Sequence, residues 1–388
     1  MPPAPARPSR LWPLYVGGFL GPFGGGMVTP ILPEVRDGLD TSLAVAASSL
    51  TVYLVPFAAF MLVSGTLAER WGRRRTVQAA YVGYALASLA CALAPQASLF
   101  LAGRAAQGIA NAFTTPILMA ALTDVTSPQR LGRTLGLFGS IQAAGMSFAP
   151  VIAGLLALVD WRLAFWVTLL AALALATQPP PDAEQAQVAQ GGWRELVTPR
   201  LAFACLVAAL TYLTTVGITL QSALLAADRF QLDPGSRGLV VATFGASGLV
   251  AGGLVGRQLD RVGVRLFGAL GCLALAAGAV LAGVAPVPTV LVAALALSGV
   301  AGLAGRVTVN SMAVRSTPAN RGGAASVMLA CQFLGGALAP ALLIPVYRHD
   351  PTLGLVAGAG SVLLAAGALG AAPGRWLGRP EPGRPERI

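Results

Sequence analysis

A chain of 388 residues that is 55% hydrophobic and 11% charged falls well below the ~25% charge usual for a soluble domain, which excludes a single water-soluble core. Its net charge of +11 comes entirely from arginine, clustered in short segments between apolar runs. That placement marks membrane topology rather than a basic face for phosphates, and it excludes nucleic acid as a partner.

Met1–Leu11 is rich in proline and arginine and runs straight into an apolar stretch without a small-residue cleavage site. It reads as a cytoplasmic tail rather than a cleaved leader. Apolar runs of about twenty residues, enough to cross ~30 Å of hydrocarbon, predict spans near 12–33, 43–68, 76–94, 99–123, 133–157 and 162–177. A second set follows near 200–226, 237–258, 266–284, 288–312, 323–347 and 353–374. The only long polar break, Thr177–Pro199, holds Pro179, Pro180 and Pro181 and reads as a linker. The expected divisions are an N-terminal bundle over 1–177, a linker over 178–199, a C-terminal bundle over 200–375 and a tail over 376–388. Arg36, Arg162, Arg229, Arg237 and Arg348 fall on the outer side, and Arg104 and Arg306 fall within helices. The remaining arginines lie on the side that carries both termini, which is therefore the cytoplasmic side.

Between the second and third spans stands Gly65-Thr66-Leu67-Ala68-Glu69-Arg70-Trp71-Gly72-Arg73-Arg74-Arg75. It is too charged for lipid and reads as a short surface loop. The second half repeats it: Gly65, Glu69, Arg70 and Gly72 correspond to Gly256, Asp260, Arg261 and Gly263. Pro128, Gly132, Gln142, Gly145, Ala149 and Pro150 correspond in the same way to Pro318, Gly322, Gln332, Gly335, Ala339 and Pro340. Internal repeats of this kind build transporters whose substrate site lies near mid-membrane between the halves. The expected fold class is an all-α membrane protein of twelve transmembrane helices in two pseudosymmetric six-helix bundles.

The repeated loop resembles the signature between the second and third helices of the major facilitator superfamily. Gly145, Ala149, Pro150, Ala153 and Gly154 on the fifth span resemble the packing signature of its twelve-span drug/proton antiporter branch, with Ala149 and Ala153 where glycines are common. Arg104, Gln107 and Gly108 resemble its fourth-helix motif. The resemblance implies a role for Arg104 in proton coupling or substrate contact; the alternative is an arginine that snorkels to the surface. It also implies that Glu69 meets the start of the eleventh span near Gly322, and Asp260 the start of the fifth near Gly132, whenever the cytoplasmic side is closed. Arg70, Arg73 or Arg74 would then pair with Asp124.

An arginine within a span marks a functional site by default. Arg104 shares a helical face with Gly108, Asn111, Thr115 and Met119. Arg306, late in the tenth span, either snorkels or faces an inner cavity. No acid lies mid-membrane. Glu34 and Asp228 are nearest an outer vestibule, and Asp124 ends the fourth span. Coupling therefore uses Glu34 or Asp228, travels with the substrate, or is absent. Tyr53, Phe57, Asn111, Gln142, Thr215, Gln221, Phe244, Gln332 and Phe333 are candidates for a central cavity. Gln142 and Gln332 stand out because the repeat pairs them.

Cys91, Cys205, Cys272 and Cys331 are isolated, and His349 is the one histidine. No metal, cofactor or disulfide framework is expected. No phosphate-binding loop or catalytic triad is present, so the chain is not expected to be an enzyme. The expected function is secondary transport by alternating access, exporting drugs or small metabolites in exchange for protons. The alternatives are a facilitator or symporter of a small, anionic solute, and a non-transporting receptor or scaffold. The expected partners are a small-molecule substrate, protons and the lipid bilayer. The expected setting is a monomer in the inner, cytoplasmic membrane of a bacterium.

Overall fold

The computed structural model describes residues 11–178, 196–317 and 320–374, and it is all-helical among them. The first bundle comprises α1 (Trp12–Gly26), a 3-10 turn (Thr29–Ile31), α2 (Leu32–Gly38), α3 (Leu43–Trp71), α4 (Arg73–Ala92), α5 (Ala97–Ala112), α6 (Thr115–Val125), α7 (Pro128–Ala157) and α8 (Leu163–Ala176). The second comprises α9 (Pro199–Asp228), α10 (Pro234–Val262), α11 (Val264–Gly283), α12 (Pro288–Ser316), α13 (Arg321–His349) and α14 (Pro351–Ala371). Most of the expected linker and tail, Pro318, and the side chains at Gly132 and Asp260 lie outside the described residues.

Nine stretches among the described residues are long and apolar enough to cross a membrane. The other three expected spans are the broken first one, α4 with its three leading arginines, and α8, whose 14 residues rise only about 21 Å. Large apolar side chains such as Leu170, Val250, Leu254 and Leu364 face outward. That is the surface lipid requires.

Two expected spans are not continuous. The first breaks after Gly26 and the fourth after Ala112. In each case a proline stands four residues beyond the last helical residue, Pro30 and Pro116. Proline has no N–H for the i−4 carbonyl, and its ring clashes there. The face expected to run from Arg104 to Met119 is interrupted there: Asn111 and Thr115 both still face Gly21 of α1, whereas Met119 is 47% exposed. The Gly65–Arg75 stretch is also not a loop. Gly65–Trp71 completes α3, Arg73 opens α4, and Gly72 alone connects them at φ +88°. Gly263 does the same between α10 and α11 at φ +85°. A side chain at either position would be strained.

Within the first bundle α1 packs on α7, and α4 on α5 and α8; within the second, α9 packs on α12, α13 and α14. The two largest contacts between the bundles are α7 with α10 and α3 with α13; the 3-10 turn and α2 add smaller ones with α9 and α10. Both large contacts are tight at one end only. A Cβ on Gly154 would stand 2.3 Å from the carbonyl oxygen of Pro234, and one on Gly238 only 2.2 Å from that of Pro150. Toward the other end, Cβ atoms at Gly136, Gly139, Gly253 and Gly256 would meet nothing within 4 Å. Thr51 Oγ1 likewise donates to the Ala337 carbonyl at 2.6 Å, whereas Gly65 and Gly322 face open space. The bundles are joined at the Glu34 end and parted at the Gly65 end.

Candidate functional site

The break in α1 leaves the last carbonyls of that helix without intrahelical donors. Arg104, on α5, reaches one of them: its Nη1 donates to the Gly24 carbonyl at 3.2 Å and to Gln107 Oε1 at 2.6 Å. The guanidinium lies 4.4 Å from the centre of the Tyr53 ring, a cation–π distance. Arg104 has no exposed surface, so it does not snorkel. Its Nε and Nη2 are buried without a hydrogen-bond partner. Gln107 Nε2 donates to Ser88 Oγ at 2.8 Å, and Thr168 Oγ1 reaches the same oxygen at 3.3 Å. Asn111 Nδ2 donates to Tyr53 Oη at 2.8 Å, and Tyr53 Oη donates to the Gly21 carbonyl at 3.3 Å. This network ties α1, α3, α4, α5 and α8 around one buried cation.

From Tyr53 a line of rings crosses between the bundles. Tyr53 stacks on Phe57 at 6.2 Å. Phe57 meets Phe333 of the second bundle edge-on at 4.7 Å, and Phe333 meets Tyr212 at 5.5 Å. Tyr212 in turn lies within electrostatic reach of Arg306. Arg306 is exposed, on the face of α12 that looks toward α9 and α10. Gln332 is buried with Oε1 unpartnered. Gln142 is half-buried, and no hydrogen bond joins the two amides.

At the end where the bundles meet, Glu34 of α2 forms an ion pair with Arg237 of α10. Arg237 is 2% exposed, with Nε and Nη1 unpartnered, and Glu34 Oε2 is also unpartnered. Arg36 lies within electrostatic reach of Glu34, Asp37 and Asp228. Arg36 bonds Asp37 at 2.7 Å and holds its carboxyl below the usual range. Asp228 is exposed and accepts from Tyr347 Oη at 2.9 Å.

At the parted end, Arg73 pairs with Asp124, tying α4 to α6 within one bundle. Glu69 is half-buried, and no described residue bonds to it. Arg70, Arg74 and Arg261 are exposed. Gly145, Ala149, Pro150 and Gly154 lie along α7; Gly145 packs on α1, and Pro150 and Gly154 pack on α10. Among the described residues no group of His, Cys, Asp and Glu could hold a metal.

Arg237 and Tyr212 were not singled out from the sequence. The sequence puts Arg237 in an outer loop, where the apolar run of the eighth helix begins. Asp233 followed by Pro234 is an N-cap and first-turn signature, and it sets the start three residues earlier. Tyr212 carries no comparable local signal.

Two six-helix bundles around a central site, joined at one end and parted at the other, define a polytopic transporter fold. The chain belongs to the Major Facilitator Superfamily, whose sequence profile matches residues 14–224 and 213–387. A multidrug resistance protein B homolog of Mycobacterium tuberculosis is 34% identical over 137 residues, which are 34% of this chain and 25% of that protein. The multidrug resistance protein MdtL of Escherichia coli is 32% identical over 157 residues, 40% of each chain. The matches thus span less than half the length of these relatives. Among solved structures, a nucleoside transporter superposes with a TM-score of 0.75 at 14% identity, covering 92% of this chain and 98% of that one. That likeness concerns the fold.

Proposed function

We propose that this chain carries small organic molecules across a bacterial inner membrane by alternating access, exporting them in exchange for protons. The observation that carries the reading is the uneven contact between bundles, sealed around Glu34 and Arg237 and parted at Gly65 and Gly322. Alternating access requires one such state and its mirror. In this proposal the arginine-rich end faces the cytoplasm, so the described state takes substrate from inside. Residues 1–177 and 200–375 move as the two bodies. The names of the multidrug-resistance relatives support export. Glu34 is the coupling carboxylate in this reading, because its ion pair with Arg237 is the charged tie between the bundles at the sealed end.

The test is flux through proteoliposomes with an imposed pH gradient. Uptake that reverses when the gradient is reversed supports exchange with protons. Flux that ignores the gradient leaves a facilitator, the second reading, which the lack of any mid-membrane acid favours. No flux for a broad panel removes both.

A further inference from the structure

The interior of the two bundles carries positive charge without negative charge to match it. Arg104 and Arg306 lie inside spans, whereas every acid of the described helices stands at or near a helix end on a membrane surface. A buried cation without a partner is costly. Arg104 offsets part of that cost with two acceptors and a ring. Arg306 is exposed, so it bears no such burial cost, and it has no hydrogen bond and no ion pair among the described residues.

Depth and direction both place Arg306 in the central space. It stands six residues before the expected end of the tenth span near residue 312, roughly 9 Å along the helix axis inside that end. Gly302, one turn earlier on the same side, faces Phe244 Cζ and Thr215 Oγ1. Leu297, nine residues earlier and half a turn round, is exposed on the outer surface. Arg306 therefore looks into the space between bundles, which is open at the Gly65 end. Tyr212 lies within electrostatic reach of Arg306, Phe333 packs on Tyr212, and Phe244 stands one turn away beside Gly302.

We propose that Arg306 and these rings form the binding site for a planar aromatic anion, a carboxylate or sulfonate, and that this is the substrate class of the transport proposed above. The guanidinium fork matches the two oxygens of an acid group in a planar, bidentate contact. The rings offer edges and faces to an aromatic body. An anion neutralises Arg306 on arrival, whereas a cation meets that guanidinium and no carboxylate. The inference rests on the transport reading only for the word substrate; the binding chemistry stands apart from it.

The test uses three ligands of one shape: 2-naphthoate, 2-naphthamide and 2-naphthylmethylammonium. Their binding to the full chain in nanodiscs is measured by calorimetry, and their uptake into proteoliposomes in parallel. The wild type should bind naphthoate about tenfold or more tighter than the amide, the range of a charge-assisted contact, and the ammonium most weakly. R306A should bring naphthoate down to the level of the amide, R306K should keep part of the preference, and R306E should favour the ammonium, all with unchanged thermal unfolding. A wild type that prefers the ammonium overturns the proposal. So does naphthoate affinity unmoved by R306A and R306E, or no binding of any of the three. Arg306-dependent binding without uptake would remove the transport reading and leave the site. Uptake of the ammonium without Arg306 dependence would do the reverse.

Discussion

Glu34 and Arg237 are 203 residues apart in sequence and form an ion pair that bridges the two bundles. Arg237 is nearly enclosed, so its charge depends on that single carboxylate. Breaking a buried pair by removing one partner costs about 3–5 kcal/mol, much of it the uncompensated charge. Here the molecule has another escape, which is to part the bundles at this end and hydrate the arginine. Glu34→Gln should therefore shift the population toward the state open at the Glu34 end. A differential of ~1.4 kcal/mol already shifts it about tenfold. Distance measurements between labels on α2 and α10 check this. An unchanged distance distribution in Glu34→Gln would mean that the pair does not hold the bundles together.

Asp233 sets the position of Arg237. Its carboxylate caps α10 by accepting from Ser236 N at 3.0 Å and also accepts from the Ser236 hydroxyl at 2.6 Å. These contacts, the hydroxyl first, hold its carboxyl below the usual range. A depressed carboxyl stabilises the fold above its unfolded value, and the effect is lost as pH falls through the lower folded value. Asp233→Ala should cost about 0.5–2 kcal/mol at neutral pH and progressively less in acid. Thermal unfolding across that pH range measures it, and a penalty that does not shrink in acid would refute the cap.

Arg104→Ala should both destabilise the first bundle and abolish transport. The substitution leaves the Gly24 carbonyl and Gln107 Oε1 without their donor, and each buried orphan costs about 1–3 kcal/mol. Arg104→Lys should keep much of the stability but little of the transport, because an ammonium cannot reproduce a planar fork over the Tyr53 ring. Unfolding and flux measured on both variants separate the two effects. Wild-type flux in Arg104→Ala would reduce the residue to a structural tie between α5 and the broken end of α1.

The two halves were legible in the sequence because their signals are local and repeated. Spans show in hydropathy, and the correspondence of Gly72 with Gly263 marks two helix junctions that only glycine allows. The breaks at Gly26 and Ala112 were written in Pro30 and Pro116, yet continuous apolar runs masked them. Arg237 was hidden by a helix start placed three residues late. The contact of Phe57 with Phe333, and the approach of Tyr212 to Arg306, depend on how α3, α9, α12 and α13 dock. No local pattern encodes that docking.

Glu69 supplies the last prediction. It stands half-buried in the last turn of α3, and no described residue bonds to it, while Gly322 at the start of α13 faces open space. The α3 and α13 helices are already in contact further along, at Thr51 and Phe57. Rotating the bundles to close this end brings the start of α13 toward Glu69. A carboxylate at a helix N-terminus gains about 0.3–1 kcal/mol when exposed and up to ~2 kcal/mol when partly buried. That gain exists only in the closed state, so it biases the equilibrium away from the state described here. Arg73, held by Asp124, keeps the start of α4 fixed to its own bundle during the movement. Glu69→Gln should therefore raise labelling of a cysteine placed at Gly65, slow turnover, and leave affinity in a trapped state unchanged. Cysteines at Gly65 and Gly322 should cross-link less readily in the same background. If labelling, cross-linking and turnover all stay at wild-type values, Glu69 is no latch and the stretch around Gly72 serves only to orient the chain.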